Sequence, residues 1–218
     1  KLELFRSGNN TPIATNIGWT TAGNTSGITA ATLQAGAFAL GANAADSVIL
    51  TTLAPGAYTA VISSANNTPG VALAEVYDLS APAAGQKLFN ISTRASTGAG
   101  DSTLIAGIVV SGTVPKRVLI RGVGPALGNF GVTGVLADPA LALFGTGAQP
   151  IFTNDDWSSG TSAAELRAAT HAVGAFAFAE GSKDSALLVT LDPGAYSAQV
   201  TGAGGSTGVS LIEIYEVP

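Results

Sequence analysis

Asp184–Pro218 reads DSALLVTLDPGAYSAQVTGAGGSTGVSLIEIYEVP, and Asp46–Asp78 reads DSVILTTLAPGAYTAVISSANNTPGVALAEVYD. Laid over each other at an offset of 138 residues, 16 of 33 positions are identical without a gap. The stretch is one copy of an internal repeat, and a repeat of this length constrains architecture more than any single motif. Three runs of strand character are separated by Asp192-Pro193-Gly194 and by the Gly/Ser/Thr cluster 202–208. Pro followed by Gly fits a tight turn, with Pro setting φ and Gly taking positive φ. Tyr196, Ala198 and Val200 alternate with Ser197, Gln199 and Thr201, the pattern of a strand with one buried face. The last run differs. Val209, Leu211 and Tyr215 share one face with Glu213, while Ile212 and Ile214 occupy the other, so this strand is expected to be central and covered on both sides.

The repeat extends upstream. Leu2-Glu3-Leu4-Phe5 matches Leu141–Phe144, Asn16-Ile17-Gly18-Trp19 matches Asn154-Asp155-Asp156-Trp157, and Gly36-Ala37-Phe38 matches Gly174–Phe176. The offset is 139 at the first match and 138 at the others, which places one lost residue in the loop between them. The copies run over 2–79 and 141–217. In the second, Ser162-Ala163-Ala164-Glu165 has the form of a capping box ahead of a short helix. The first has Asn24 and Gly27 there, which predicts a shorter helix or none.

Residues 88–139 have no twin. They predict strands over 88–95, 103–111 and 116–122, then a loop-rich tail over 124–139. Short strands at regular spacing, divided by turn residues, define an all-β chain. We expect two tandem, related antiparallel β-sandwich (jelly-roll-like) units with one short helix. The first, 1–80, is a half-module; residues 81–85 are a linker; 86–218 form a complete module.

Composition sets further bounds. Charged residues make up 11% of the 218, against about 25% in ordinary soluble domains. Mean hydropathy is +0.39. A surface so poor in charge predicts that part of it is covered by a neighbouring subunit. The net charge of -5 argues against a nucleic-acid partner, since phosphate binding needs a basic stripe. With no cysteine, neither disulfides nor thiolate metal sites can form. No apolar run approaches the roughly 20 residues of a membrane span. The absence of methionine, even at position 1, predicts a processed product or a fragment. Together with the abundant Thr, Ser, Gly, Ala and Asn, it predicts secreted material of the extracellular space or cell surface.

Asn90–Arg94, Leu104–Gly107, Pro115–Pro125 (PKRVLIRGVGP) and Leu136–Pro139 resemble a repeat module of large secreted proteins of environmental bacteria. In that module a Leu-x-Leu strand, an Asn-Asp-x-Trp loop, Pro-Gly-x-Tyr and a terminal Glu-Val-Tyr-like strand follow. Counterparts of all of them stand in order between Leu141 and Tyr215. The resemblance covers 88–217 as one whole module and 2–79 as the second half of another. It implies secretion and the fold, but no activity. The second half also looks like the pre-peptidase C-terminal β-sandwich, an accessory domain of secreted enzymes.

Candidate sites are few. Asn154, Asp155 and Asp156 offer hard oxygen ligands for calcium, or form a loop capped by its own side chains. The first copy keeps Asn16 and Trp19 but has Ile17 and Gly18 between them, so the carboxylates are dispensable for the fold. Trp19, Trp157, Tyr58 and Tyr196 occupy equivalent places and are read as structural anchors. Arg117 and Arg121 fall on one side of a strand, to bind an anionic polymer or, the preferred reading, to pair with Glu213 or Glu75. His171, the only histidine, has no Ser and acid spaced for nucleophilic catalysis, and adjacent Asp155 and Asp156 cannot flank a glycosidic bond.

The chain therefore reads as a non-catalytic subunit of a secreted fibre, sheath or matrix, forming a homopolymer. The alternative is an accessory module that tethers a secreted protein to extracellular polysaccharide. Either residues 88–139 serve the first copy as well as the second and close the monomer, or assembly runs head to tail through Leu2, Leu4 and Phe5 of an exposed first strand and Ile212 and Ile214 of the last, the expected case.

Overall fold

A computed structural model describes residues 1–42, 44–80, 88–159 and 162–218. The chain is all-β, with three antiparallel sheets and two α-helices among those residues. It divides into two compact units, 1–87 and 88–218. The expected linker at 81–85 lies outside the described residues.

The second unit is a two-layer sandwich. One sheet contains β4 (Asn90–Thr97), β6 (Lys116–Val123), β9 (Ser185–Leu191) and β11 (Gly208–Glu216) in the order β4-β11-β6-β9. The other contains β5 (Leu104–Val110), β7 (Pro139–Phe144), β8 (Pro150–Asn154) and β10 (Gly194–Gly202) in the order β5-β10-β7-β8. Alternate side chains of each strand meet between the sheets, where Ile120, Leu141, Leu143, Val200 and Ile212 are buried. Each such side chain contributes roughly 1.5–3 kcal/mol by leaving water.

The outer face of the β6/β11 sheet is covered too. Helix α2 (Ala163–Ala172) lays Leu166 and Ala169 on it, against Leu119, Ala186 and Trp157. Phe176 and Phe178 cover the end nearer Val123. Burial on both faces is why Val118–Ile120 of β6 is an unbroken apolar run and why both faces of β11 are mostly apolar.

The first unit has one sheet, ordered β2-β1-β3, built from β1 (Leu2–Arg6), β2 (Ala14–Asn16) and β3 (Tyr58–Ile62). By the repeat these are the counterparts of β7, β8 and β10. The counterparts of β9 and β11, residues 47–53 and 70–78, belong to no ladder among the described residues. The reason lies in the pairing of the second unit. There β9 pairs with β6, and β11 with β4 and β6. Those partners come from the segment that has no twin.

Three expectations about local structure are corrected. Helix α1 (Thr25–Ala35) has 11 residues to the 10 of α2, so the helix of the first copy is not shortened. Asn24 caps it by accepting a hydrogen bond from the Gly27 amide at 3.1 Å, and Gly36 closes it at φ 69°. Ser162, by contrast, makes no side-chain cap, so the capping box of the second copy does not form. The first strand is also not an exposed edge. It is central, paired with β2 on one side and β3 on the other.

Candidate functional site

Asn, Trp and Tyr do the same work in both copies. Asn16 Oδ1 accepts from the Val48 amide at 3.0 Å, and Asn154 Oδ1 from the Ala186 amide at 2.9 Å. Each amide nitrogen donates to a carbonyl two residues on, Gly18 and Asp156. Trp19 Nε1 donates to Gly41 O at 2.9 Å and Trp157 Nε1 to Ala179 O at 3.2 Å. Tyr58 and Tyr196 each close the preceding turn by donating to the carbonyl four residues back, at 2.8 and 2.9 Å. All four aromatic side chains donate to backbone carbonyls of loops or turns.

Asn154 Oδ1 is engaged by the backbone and Asp156 Oδ2 accepts from Lys183 Nζ at 2.8 Å, while Asp156 Oδ1 is buried without a hydrogen-bond partner. Among the described residues no three of His, Asp and Glu stand together as ligands of one metal ion. The positive charge at this loop belongs to Lys183, whose pKa is raised first by its hydrogen bond to Asp156 and further by Asp138 and Asp155.

The strongest electrostatic feature is in the second unit. Arg121, on the outer face of β6, is fully buried, and its Nε stands 3.3 Å from Glu213 Oε2. The guanidinium carbon lies 4.3 Å from the Phe176 ring centre and 4.0 Å from that of Phe178. Tyr215 Oη donates to the other Glu213 oxygen at 2.8 Å. Burial pushes the Arg121 pKa down and that of Glu213 up, while their mutual attraction opposes both shifts. Arg121 therefore pairs with Glu213, as preferred from the sequence. Arg117, the other arginine of this strand face, lies exposed at 3.7 Å from Glu165 of α2. Sequence reasoning did not anticipate the aromatic cage, because Phe176 and Phe178 reach Arg121 from a loop distant in the chain.

The residues expected to join subunits are placed differently from expectation. Ile212 and Ile214 are buried between the sheets of the second unit and are spent within it. Leu2 and Leu4 are half-buried in β1, at the places where Leu141 and Leu143 form the sandwich core; Phe5 matches half-buried Phe144. What the first unit exposes lies elsewhere. Val71 is 86% and Leu73 71% accessible. Leu53 is 42% accessible where its counterpart Leu191 is 2%, and Val76 is 53% accessible where Ile214 is 7%. These residues stand on 47–53 and 70–78, the two runs without ladder partners.

No arrangement suited to catalysis was found among the described residues. His171 is exposed on α2, and the surface depressions of the second unit are shallow and open. No helix there is long and apolar enough to cross a membrane.

No protein-family model matches the chain, and no curated protein matches it in sequence. Among solved structures, it is similar to the pre-peptidase C-terminal domain of collagenase from Bacillus anthracis, at 12% identity and a TM-score of 0.35. That likeness covers 58% of this chain and 89% of the domain.

Proposed function

We propose that the chain is a non-catalytic structural element of a secreted extracellular fibre, sheath or matrix, joined to its neighbours through the incomplete face of its first unit. One observation carries this reading. Residues 47–53 and 70–78 present Leu50, Leu53, Val71, Leu73 and Val76 to solvent with no strand paired to them among the described residues. Unpaired segments next to exposed apolar side chains are a template for strand addition. Contact between that face and a different surface of the neighbour is heterologous, so it propagates instead of closing as a pair. The low charge of the chain suits a surface that is covered in the assembled state.

Light scattering over a concentration series tests the reading. The intact chain is expected to grow into oligomers, visible as filaments or sheets by electron microscopy. Val71→Glu together with Leu73→Glu should hold it monomeric. An intact chain that stays monomeric at high concentration, or one that binds a polysaccharide reproducibly on a glycan array, would instead favour a tethering module.

A further inference from the structure

The first unit retains the partners of a segment that it does not contain. In the second unit three polar groups bond one short stretch, Arg121–Ala126. Glu213 pairs with Arg121 at 3.3 Å. Ser185 Oγ donates to Gly122 O at 3.2 Å. Asp184 Oδ1 accepts from the amides of Gly124 and Ala126, at 2.8 and 3.2 Å.

The repeat places Glu75, Ser47 and Asp46 at the same three positions of the first unit. Glu75 stands on an otherwise apolar run and accepts from Tyr77 Oη at 2.9 Å, just as Glu213 accepts from Tyr215. Its carboxylate raises the Tyr77 pKa through that hydrogen bond. Ser47 Oγ is buried without a hydrogen-bond partner. Asp46 keeps the backbone role of Asp184, its carbonyl accepting from the Trp19 amide at 2.6 Å as that of Asp184 accepts from Trp157. Phe38 matches Phe176 of the aromatic cage and is 59% accessible.

We infer that the first unit is a receptor for an arginine-bearing strand and turn patterned on Lys116–Ala126. The inference rests on the open face of the assembly reading above and names the chemistry of the strand that completes it. The donated strand lies between residues 47–53 and 70–78, as β6 lies between β9 and β11. Its arginine is registered with Glu75 and Val48, as Arg121 is registered with Glu213 and Ala186. The arginine pairs with Glu75 and stacks on Phe38. The next carbonyl satisfies Ser47, and the amides of the turn satisfy Asp46.

The donor must also carry glycine at the position of Gly122. A Cβ on Gly122 would stand 2.5 Å from Ser185 Oγ, the counterpart of Ser47 Oγ. The donor is not the chain's own Lys116–Ala126. Ile120 and Arg121 are fully buried in the second unit, and withdrawing them would strip Glu213 of its partner. These 218 residues hold two copies that need such a segment and one segment to fill them.

The test uses the full chain and a synthetic peptide of residues 116–127, KRVLIRGVGPAL, followed by calorimetry and light scattering. The peptide is expected to bind one-to-one and to dissolve the self-associated chain. Replacing its arginine at position 121 with Leu, or making Glu75→Gln in the chain, should each weaken binding about tenfold or more, as desolvated charge pairs do. The two changes together should cost little more than either alone. If the Leu peptide binds as tightly as the arginine peptide, the arginine seat is wrong. If neither peptide binds while the chain still self-associates, the receptor is wrong and the assembly reading stands. If the chain remains monomeric yet binds the peptide in the arginine-dependent manner, the receptor stands and self-assembly fails.

Discussion

At the scale of single residues, the Arg121–Glu213 pair decides more than any other contact. A buried pair contributes little relative to apolar residues of similar size, but breaking it leaves an uncompensated charge. Glu213→Ala should therefore destabilise the second unit by about 3–5 kcal/mol in urea titration. Arg121→Met with Glu213→Met should restore stability to at least the wild-type value. Trp157 reports on this unit and Trp19 on the other, so a Trp→Phe change at either position isolates one signal. Tyr215 sets an alkaline limit. Burial, with Glu213 beside it, raises its pKa well above the ordinary 10.0. The unfolded chain then releases the phenol proton at a lower pH than the folded one. Stability from this group is fully present below pH 10 and declines as pH rises beyond it. Phenolate absorbance from Tyr215 should appear only together with unfolding of the second unit. A phenolate that forms in the folded protein near pH 10 would contradict the burial argument.

At the scale of elements, the same sequence run behaves in two ways according to its neighbour. Residues 47–53 and β9 are counterparts, yet only β9 has a strand beside it. Leu191→Ala should cost about 2–5 kcal/mol, as a buried Leu lost to a cavity does. Leu53→Ala should stay within about 0.5 kcal/mol, because Leu53 is already half in water. By hydrogen exchange in the monomeric Val71→Glu, Leu73→Glu chain, amides of β9 and β11 should be strongly protected, and those of 47–53 and 70–78, apart from Val48, should exchange freely. The helices show how far local signals reach. Asn24 and Gly36 delimit α1 because an N-cap amide and a left-handed glycine act on residues within one turn. Ser162 and Glu165 have the spacing of a capping box, but Ser162, at φ -89° and ψ 0°, lies outside the extended conformation that an N-cap needs.

At the scale of the whole molecule, the two units differ by the presence of one segment, 88–139. The first match of the repeat sets Leu2 against Leu141, so a copy of 88–139 placed directly before Lys1 would enter the first unit as the original enters the second. In the chain extended this way, amides of 47–53 and 70–78 should gain protection, and self-association should fall away. If those amides exchange as fast as before, the missing segment is not what the first unit lacks. Calcium provides a further check at this scale. With Asn154 Oδ1 accepting from the Ala186 amide and Asp156 Oδ2 from Lys183, added calcium should leave the melting temperature unchanged.

The sequence by itself determined the repeat, the all-β class and a last strand covered on both sides. All of these are carried by residues adjacent in the chain, by a period of two, or by direct comparison of the copies. Only the tertiary structure decided that β1 is central, that Ile212 and Ile214 are spent in a core, and that Phe176 and Phe178 enclose Arg121. Strand pairing explains the difference. A strand's own residues state that it needs a partner and which face is apolar, but its partner is chosen by segments far along the chain. Where that segment is present, 185–191 and 208–216 are the strands β9 and β11 of a sandwich. Where it is absent, the equivalent residues 47–53 and 70–78 retain the apolar side chains, the glutamate and the serine of a seat made for it.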